Sequence, residues 1–166
     1  MEYIKKAVAR LDGNTGEIAT AFLVSDVYML TSRHTFIKNP DKTSYKILLP
    51  YNSEKEYFIE SIYYEEDTDI DCLANDIAII KLNEPIIDVQ PLQLDFTDLS
   101  IDESWESYGF PGSSRLVGER FIGTINDLLN KRLDLKFDIN LNCEVPKLID
   151  AFYGVGGASG APILRN

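Results

Sequence analysis

Histidine is nearly absent from this chain: His34 stands alone among 166 residues. Cysteine is almost as scarce, with only Cys72 and Cys143. No Cys/His cluster of the kind that holds zinc can be assembled from such a set. So few cysteines also argue against a disulfide-stapled secreted domain. Both are read as free thiols in a reducing compartment, which makes the expected location cytoplasmic. Basic residues are in the minority, 16 Lys and Arg against 27 Asp and Glu, for a net charge of −11. A phosphate backbone demands a clustered basic patch, so nucleic-acid binding is not expected. The acidity serves mainly solubility. No stretch approaches the roughly 18 apolar residues of a membrane span. The opening Met1-Glu2-Tyr3-Ile4-Lys5-Lys6 lacks the apolar segment and cleavage site of a signal peptide. Neither a membrane partner nor a bound cofactor is expected.

What the chain does contain is strand-forming sequence. Hydrophobic content is 45% and charged content 26%, ordinary for a globular protein. The runs Lys6–Leu11, Ile18–Val24, Val27–Thr31, Tyr45–Leu49, Tyr57–Tyr64 and Ile77–Leu82 are rich in β-branched and aromatic residues. Turn signals separate them, the strongest being Asp12-Gly13-Asn14-Thr15-Gly16. Six such strands fill one antiparallel barrel. The nearly all-apolar Ile77–Leu82 run is expected to be buried. Residues 85–100, with Pro85 and Pro91 among acidic neighbours, make poor helix or strand and form a connector. The second half begins with Trp105–Gly112, and Glu119–Thr124 is a strand that continues toward Lys131, a helical turn over Thr124–Lys131 being the alternative. Arg132–Ile139 alternates polar and apolar residues, as a half-buried strand does. Ala161–Leu164 is the last strand. The second half thus counts about four strands.

Three local contexts suit serine-nucleophile chemistry. Thr31-Ser32-Arg33-His34 closes an apolar strand, Asn75-Asp76 opens another, and Gly156-Gly157-Ala158-Ser159-Gly160 forms a glycine turn. A serine hydroxyl is a poor nucleophile until a base stands within hydrogen-bond reach and an acid orients that base. Histidine suits the base role, and here His34 has no competitor.

In this order and spacing the motifs resemble those of the trypsin-like, chymotrypsin-fold serine peptidases. The segment Tyr108-Gly109-Phe110-Pro111-Gly112 resembles the Gly-Tyr-Pro stretch of bacterial HtrA-type members, and Thr20-Ala21-Phe22 the family's Gly-Ser/Thr-Gly-Phe strand. The resemblance implies an all-β fold of two six-stranded antiparallel barrels. The first would occupy residues 1–84, the connector 85–100 and the second barrel 101–166, with the last two strands of the second lacking. It implies a catalytic His34, Asp76 and Ser159, and an oxyanion hole of the Gly157 and Ser159 amides. Tyr153 corresponds to the pocket floor, suggesting an apolar or small pocket. Ala158 replaces the acid that, in the secreted digestive branch, binds a newly cut N-terminus, so activation by that switch is not expected.

The function implied is endopeptidase action on proteins or peptides through an acyl-enzyme, as the protease module of a larger intracellular protein with a fused C-terminal domain. The alternative is a latent or non-catalytic peptidase-fold module that binds a partner, and an esterase would use the same three residues. One further feature is acidic: Glu65–Asp71 carries five carboxylates in seven residues. Asp67, Asp69 and Asp71 alternate as in a calcium loop, yet the glycine and terminal glutamate of that motif are missing. A solvated loop without metal is expected.

Overall fold

The computed structural model describes residues 2–37, 39–52, 55–65, 76–98, 100–111, 117–129, 132–137 and 158–165. Cys72, Cys143, Tyr153, Gly157 and the acidic run beyond Glu65 lie outside them.

The first half forms a closed antiparallel barrel of six strands: β1 (Val8–Gly13), β2 (Ile18–Leu23), β3 (Tyr28–Thr31), β4 (Tyr45–Leu48), β5 (Glu56–Tyr63) and β6 (Ala78–Leu82). They are ordered β1-β2-β3-β6-β5-β4, and β1 closes the ring by pairing with β4. The β1–β2 hairpin turns where the glycines fall: the Gly16 amide donates to the Gly13 carbonyl at 3.1 Å, and Gly16 has φ +95°. At the β2–β3 turn the Ser25 hydroxyl accepts from the amide of Tyr28 at 3.0 Å, a local side-chain bond that favours a turn over continued strand.

Strand alternation selects the core. Leu11, Ala21, Leu23, Met29, Ile47, Ala78, Ile80 and Leu82 are buried inside the barrel. The expectation that Ile77–Leu82 is buried throughout is corrected: Ile77 is 61% and Ile79 40% exposed. In an antiparallel barrel alternate side chains point outward, so an apolar run does not by itself bury both faces.

Among the described residues, α1 (Glu2–Ala7) precedes the strands, and α2 (His34–Ile37) and a 3₁₀ turn at Lys42–Ser44 lie between β3 and β4. The strand expected from Lys6 begins instead at Val8. Ile4 and Ala7, three apart on one helical face, are both buried, so helix serves these residues better than an extended chain. Lys5 lies 5.3 and 5.6 Å from the ring centres of Tyr51 and Tyr108, tying α1 to both halves of the molecule.

The segment from Asn83 to Glu103 carries no helix or strand among its described residues. It is nevertheless fastened down. Ile86, Val89 and Leu92 are buried, and the Leu92 amide donates to the Leu23 carbonyl at 2.8 Å.

The second half contributes β7 (Ser104–Gly109), β8 (Glu119–Leu129), β9 (Arg132–Phe137) and β10 (Ile163–Arg165), in the order β10-β7-β8-β9. Strand β8 does run on past Thr124, with a register irregularity between Ile125 and Asp127. This four-stranded sheet does not close among the described residues, as expected of a second barrel that lacks its last two strands. Trp105, Phe121 and Ile125 form its own small core. Tyr108 and Phe110, by contrast, pack into the core of the barrel. The end of β7 is therefore the seam between the two halves.

Candidate active site

Strand β3 delivers His34 to that seam. Thr31 ends the strand, and the chain then turns into α2, where the Phe36 amide donates to the Arg33 carbonyl at 2.9 Å. The Ser32 and Thr35 hydroxyls lie 3.0 Å apart and brace the turn. Beneath it the Tyr45 hydroxyl donates to the Thr35 carbonyl at 2.9 Å, and its ring meets Phe36 edge-on at 5.1 Å. Burial pushes the Tyr45 phenol up from its ordinary pKa, with the negative charge of Glu17 adding to the effect. It stays a neutral donor.

Asp76, two residues before β6, grips His34 twice. Its Oδ1 accepts the His34 amide at 2.8 Å, and its Oδ2 lies 2.6 Å from His34 Nδ1. Two contacts from one carboxylate fix both where the imidazole starts and which way its ring turns. The His34 side chain remains half exposed, at 50%.

Arg33 holds the acid's chain in place. It is only 5% exposed. Its amide donates to the Asp76 carbonyl at 3.3 Å, and its guanidinium donates to the Glu65 carbonyl at 2.9 Å. One residue thus joins both ends of the segment between 65 and 76. Sequence reasoning assigned Arg33 no role. The available signal was a charged residue at the end of an apolar strand, directly before the only histidine.

Ser159 sits in a tight turn, where the Ala161 amide donates to the Ala158 carbonyl at 2.9 Å. The turn is seated on the barrel. The Thr20 amide donates to the Ser159 carbonyl at 2.9 Å, and the Thr31 hydroxyl donates to the Thr20 carbonyl at 2.7 Å. Gly160 has φ +86°, and a Cβ there would fall on the Thr20 carbonyl oxygen and lie 2.5 Å from Thr31 Oγ1. Only glycine fits this approach. The serine turn therefore rests on β2 at Thr20 and on Thr31, which ends the strand leading into His34.

The structure thus brings His34 and Asp76 into direct contact and packs the Ser159 turn against the residues that precede His34. Among the described residues no group of three or more His, Cys, Asp or Glu is placed to hold a metal ion. No described helix is long and apolar enough to cross a membrane.

The trypsin family model matches residues 4–106, well over half of the chain, and that span contains both His34 and Asp76. The chain belongs to the trypsin family. Its fold agrees: a solved structure of kallikrein-related peptidase 10, in complex with Zn2+, superposes with a TM-score of 0.73. That match covers 100% of this chain and 79% of the other at 14% identity, a likeness of fold. No curated protein matches the sequence. Trypsin-family membership and the all-β chymotrypsin-type architecture support serine-peptidase function in general, with proteins or peptides as the class of substrate.

Proposed function

We propose that the chain is a serine endopeptidase unit in which Ser159 is the nucleophile, His34 the general base and Asp76 the orienting acid. The observation that carries this reading is the two-point grip of Asp76 on His34, made beside a serine turn that rests on Thr20 and Thr31. With Nδ1–H directed at the carboxylate, Nε2 of the neutral ring keeps its lone pair. It takes the Ser159 proton as Oγ bonds to the scissile carbonyl carbon. The imidazolium then returns that proton to the leaving amine as the C–N bond breaks, and water enters by the reverse path to release the acid. The Gly157 and Ser159 amides stabilise the oxyanion.

The finer features belong to the same reading. The chain divides into a first barrel at 1–84, a connector at 85–100 and a second unit at 101–166. Tyr153 at the pocket floor favours apolar or small side chains in the substrate. Tyr108–Gly112 aligns the chain with bacterial HtrA-type members, Ala158 argues against activation by a newly cut N-terminus, the low cysteine count favours a reducing, cytoplasmic setting, and fused domains follow by analogy with the family. The test is hydrolysis of a denatured protein substrate by the purified protein. Ser159→Ala should reduce cleavage by about a millionfold, effectively to background, with the fold retained. Undiminished cleavage by that variant would remove Ser159 from the mechanism. A protein that folds yet never cleaves would be the non-catalytic module.

A further inference from the structure

Thr20 lies on β2 and is fully buried. Its main chain meets the serine turn and the His34 strand, as described above. Its side chain reaches in a third direction. Thr20 Oγ1 accepts a hydrogen bond from the Phe110 amide at 3.0 Å, across 90 residues of sequence. Phe110 follows directly on β7, so this bond crosses the seam between barrel and second sheet. The packing around it leaves no slack. A Cβ on Gly109 would stand 2.9 Å from Thr20 Oγ1 and 3.1 Å from the Ala161 side chain, two residues beyond Ser159. One residue therefore touches all three parts that the proposed reaction must hold in register: the histidine strand through Thr31, the nucleophile turn through the Ser159 carbonyl, and the second sheet through Phe110.

We infer that the Thr20 hydroxyl is a positioning group for the nucleophile, setting the Ser159 turn at a fixed height above the seam by binding the Phe110 amide. The inference rests on the proposed role of Ser159. A buried amide that loses its acceptor is left unsatisfied, and the strand end carrying it shifts to find another. Gly109 and Ala161 share that strand end and turn, so a displacement at Phe110 is passed to Ser159 through direct contact. Misplacement of a reacting group by about 1 Å costs on the order of a hundredfold in rate. The Thr20 hydroxyl touches no substrate, so it acts on the chemical step and not on binding.

The experiment compares Thr20→Val, which keeps the shape and removes the acceptor, with Thr20→Ser, which keeps the acceptor. Two readouts are needed. The first is inactivation by a fluorophosphonate probe, resolved into a maximal rate constant and an apparent affinity. Thr20→Val should lower the rate constant about tenfold to a hundredfold with the affinity unchanged, and Thr20→Ser should restore most of it. The second is amide hydrogen exchange at Phe110, which should quicken about tenfold in Thr20→Val and stay protected in Thr20→Ser. A purely structural threonine would lower Tm in both variants and leave the rate constant untouched. That result, or unchanged exchange at Phe110, overturns the inference. If the unmutated protein itself fails to react at Ser159, the peptidase reading falls and with it the positioning role. The exchange comparison, which needs no activity, still shows whether the hydroxyl holds the seam.

Discussion

At the scale of single residues, the site depends on contacts too close to admit substitution. Gly160 is the clearest. A left-handed backbone costs an ordinary residue about 1–2 kcal/mol, and at φ +86° the added Cβ also strikes the Thr20 carbonyl. Gly160→Ala should therefore lower Tm by several degrees and abolish reaction at Ser159, both measured on one preparation. Full activity in that variant would show that the turn can be displaced without consequence. Asp76→Asn is the complementary case. The amide is near the size of the carboxylate, so packing survives, but it no longer favours Nδ1–H over Nε2–H. A fall in kcat of about four orders of magnitude is expected, with KM little changed. The strand ends that carry His34 and Asp76 and the glycine turn at Ser159 were legible in the sequence. Thr20 and Arg33 were not. Their importance lies in bonds to distant main chain, the Phe110 amide and the Glu65 carbonyl, which no local pattern encodes.

At the scale of elements, the strands announced themselves through alternation and turn chemistry, while the short helices did not. The six residues of α1 contain valid strand sequence, and only the paired burial of Ile4 and Ala7 decides for helix. Likewise the composition of β6 gives no sign of which of its sides meets water. The most specific interlock between elements is also tertiary. Val117, before β8, offers its carbonyl to two phenols: Tyr51 donates at 2.7 Å, and Tyr108 of β7 donates to the same oxygen. The two hydroxyls also meet at 3.0 Å.

This interlock has a pH dependence. Burial, reinforced by the hydrogen bond with Tyr51, holds the Tyr108 phenol far above its ordinary pKa. Above about pH 10 the unfolded chain releases that proton while the folded protein retains it. The folded state then binds more protons, so stability is intact below pH 10 and falls as pH rises beyond it. Tyr45, also raised by burial, contributes in the same direction. Urea titrations from pH 8 to 11 should show this decline, and Tyr108→Phe should make it shallower while lowering stability at pH 8 through loss of the bonds to Val117 and Tyr51. An alkaline decline of identical slope in the variant would mean that Tyr108 does not link folding to protons.

At the scale of the whole molecule, a closed barrel supplies rigidity and a second sheet leans on it through Tyr108, Phe110 and Thr20. The halves are fastened beside the candidate nucleophile's turn and the strand that leads to the candidate base, so the seam lies where the chemistry would occur. An acidic surface, net −11, keeps such a molecule soluble. The barrel was legible in sequence because its six strands follow one another along residues 8–82, each a β-branched or aromatic run. Its seam was not, since it joins residues 20, 110 and 159, which lie far apart along the chain. Everything in this account converges on Ser159 as a hydroxyl made nucleophilic by His34. The most direct test treats the folded protein with a fluorophosphonate probe and locates the adduct by tandem mass spectrometry. A single adduct on Ser159 is expected, formed by the unmutated protein and suppressed in His34→Ala. An adduct on another residue, or equal labelling of Ser159 in His34→Ala, would contradict it.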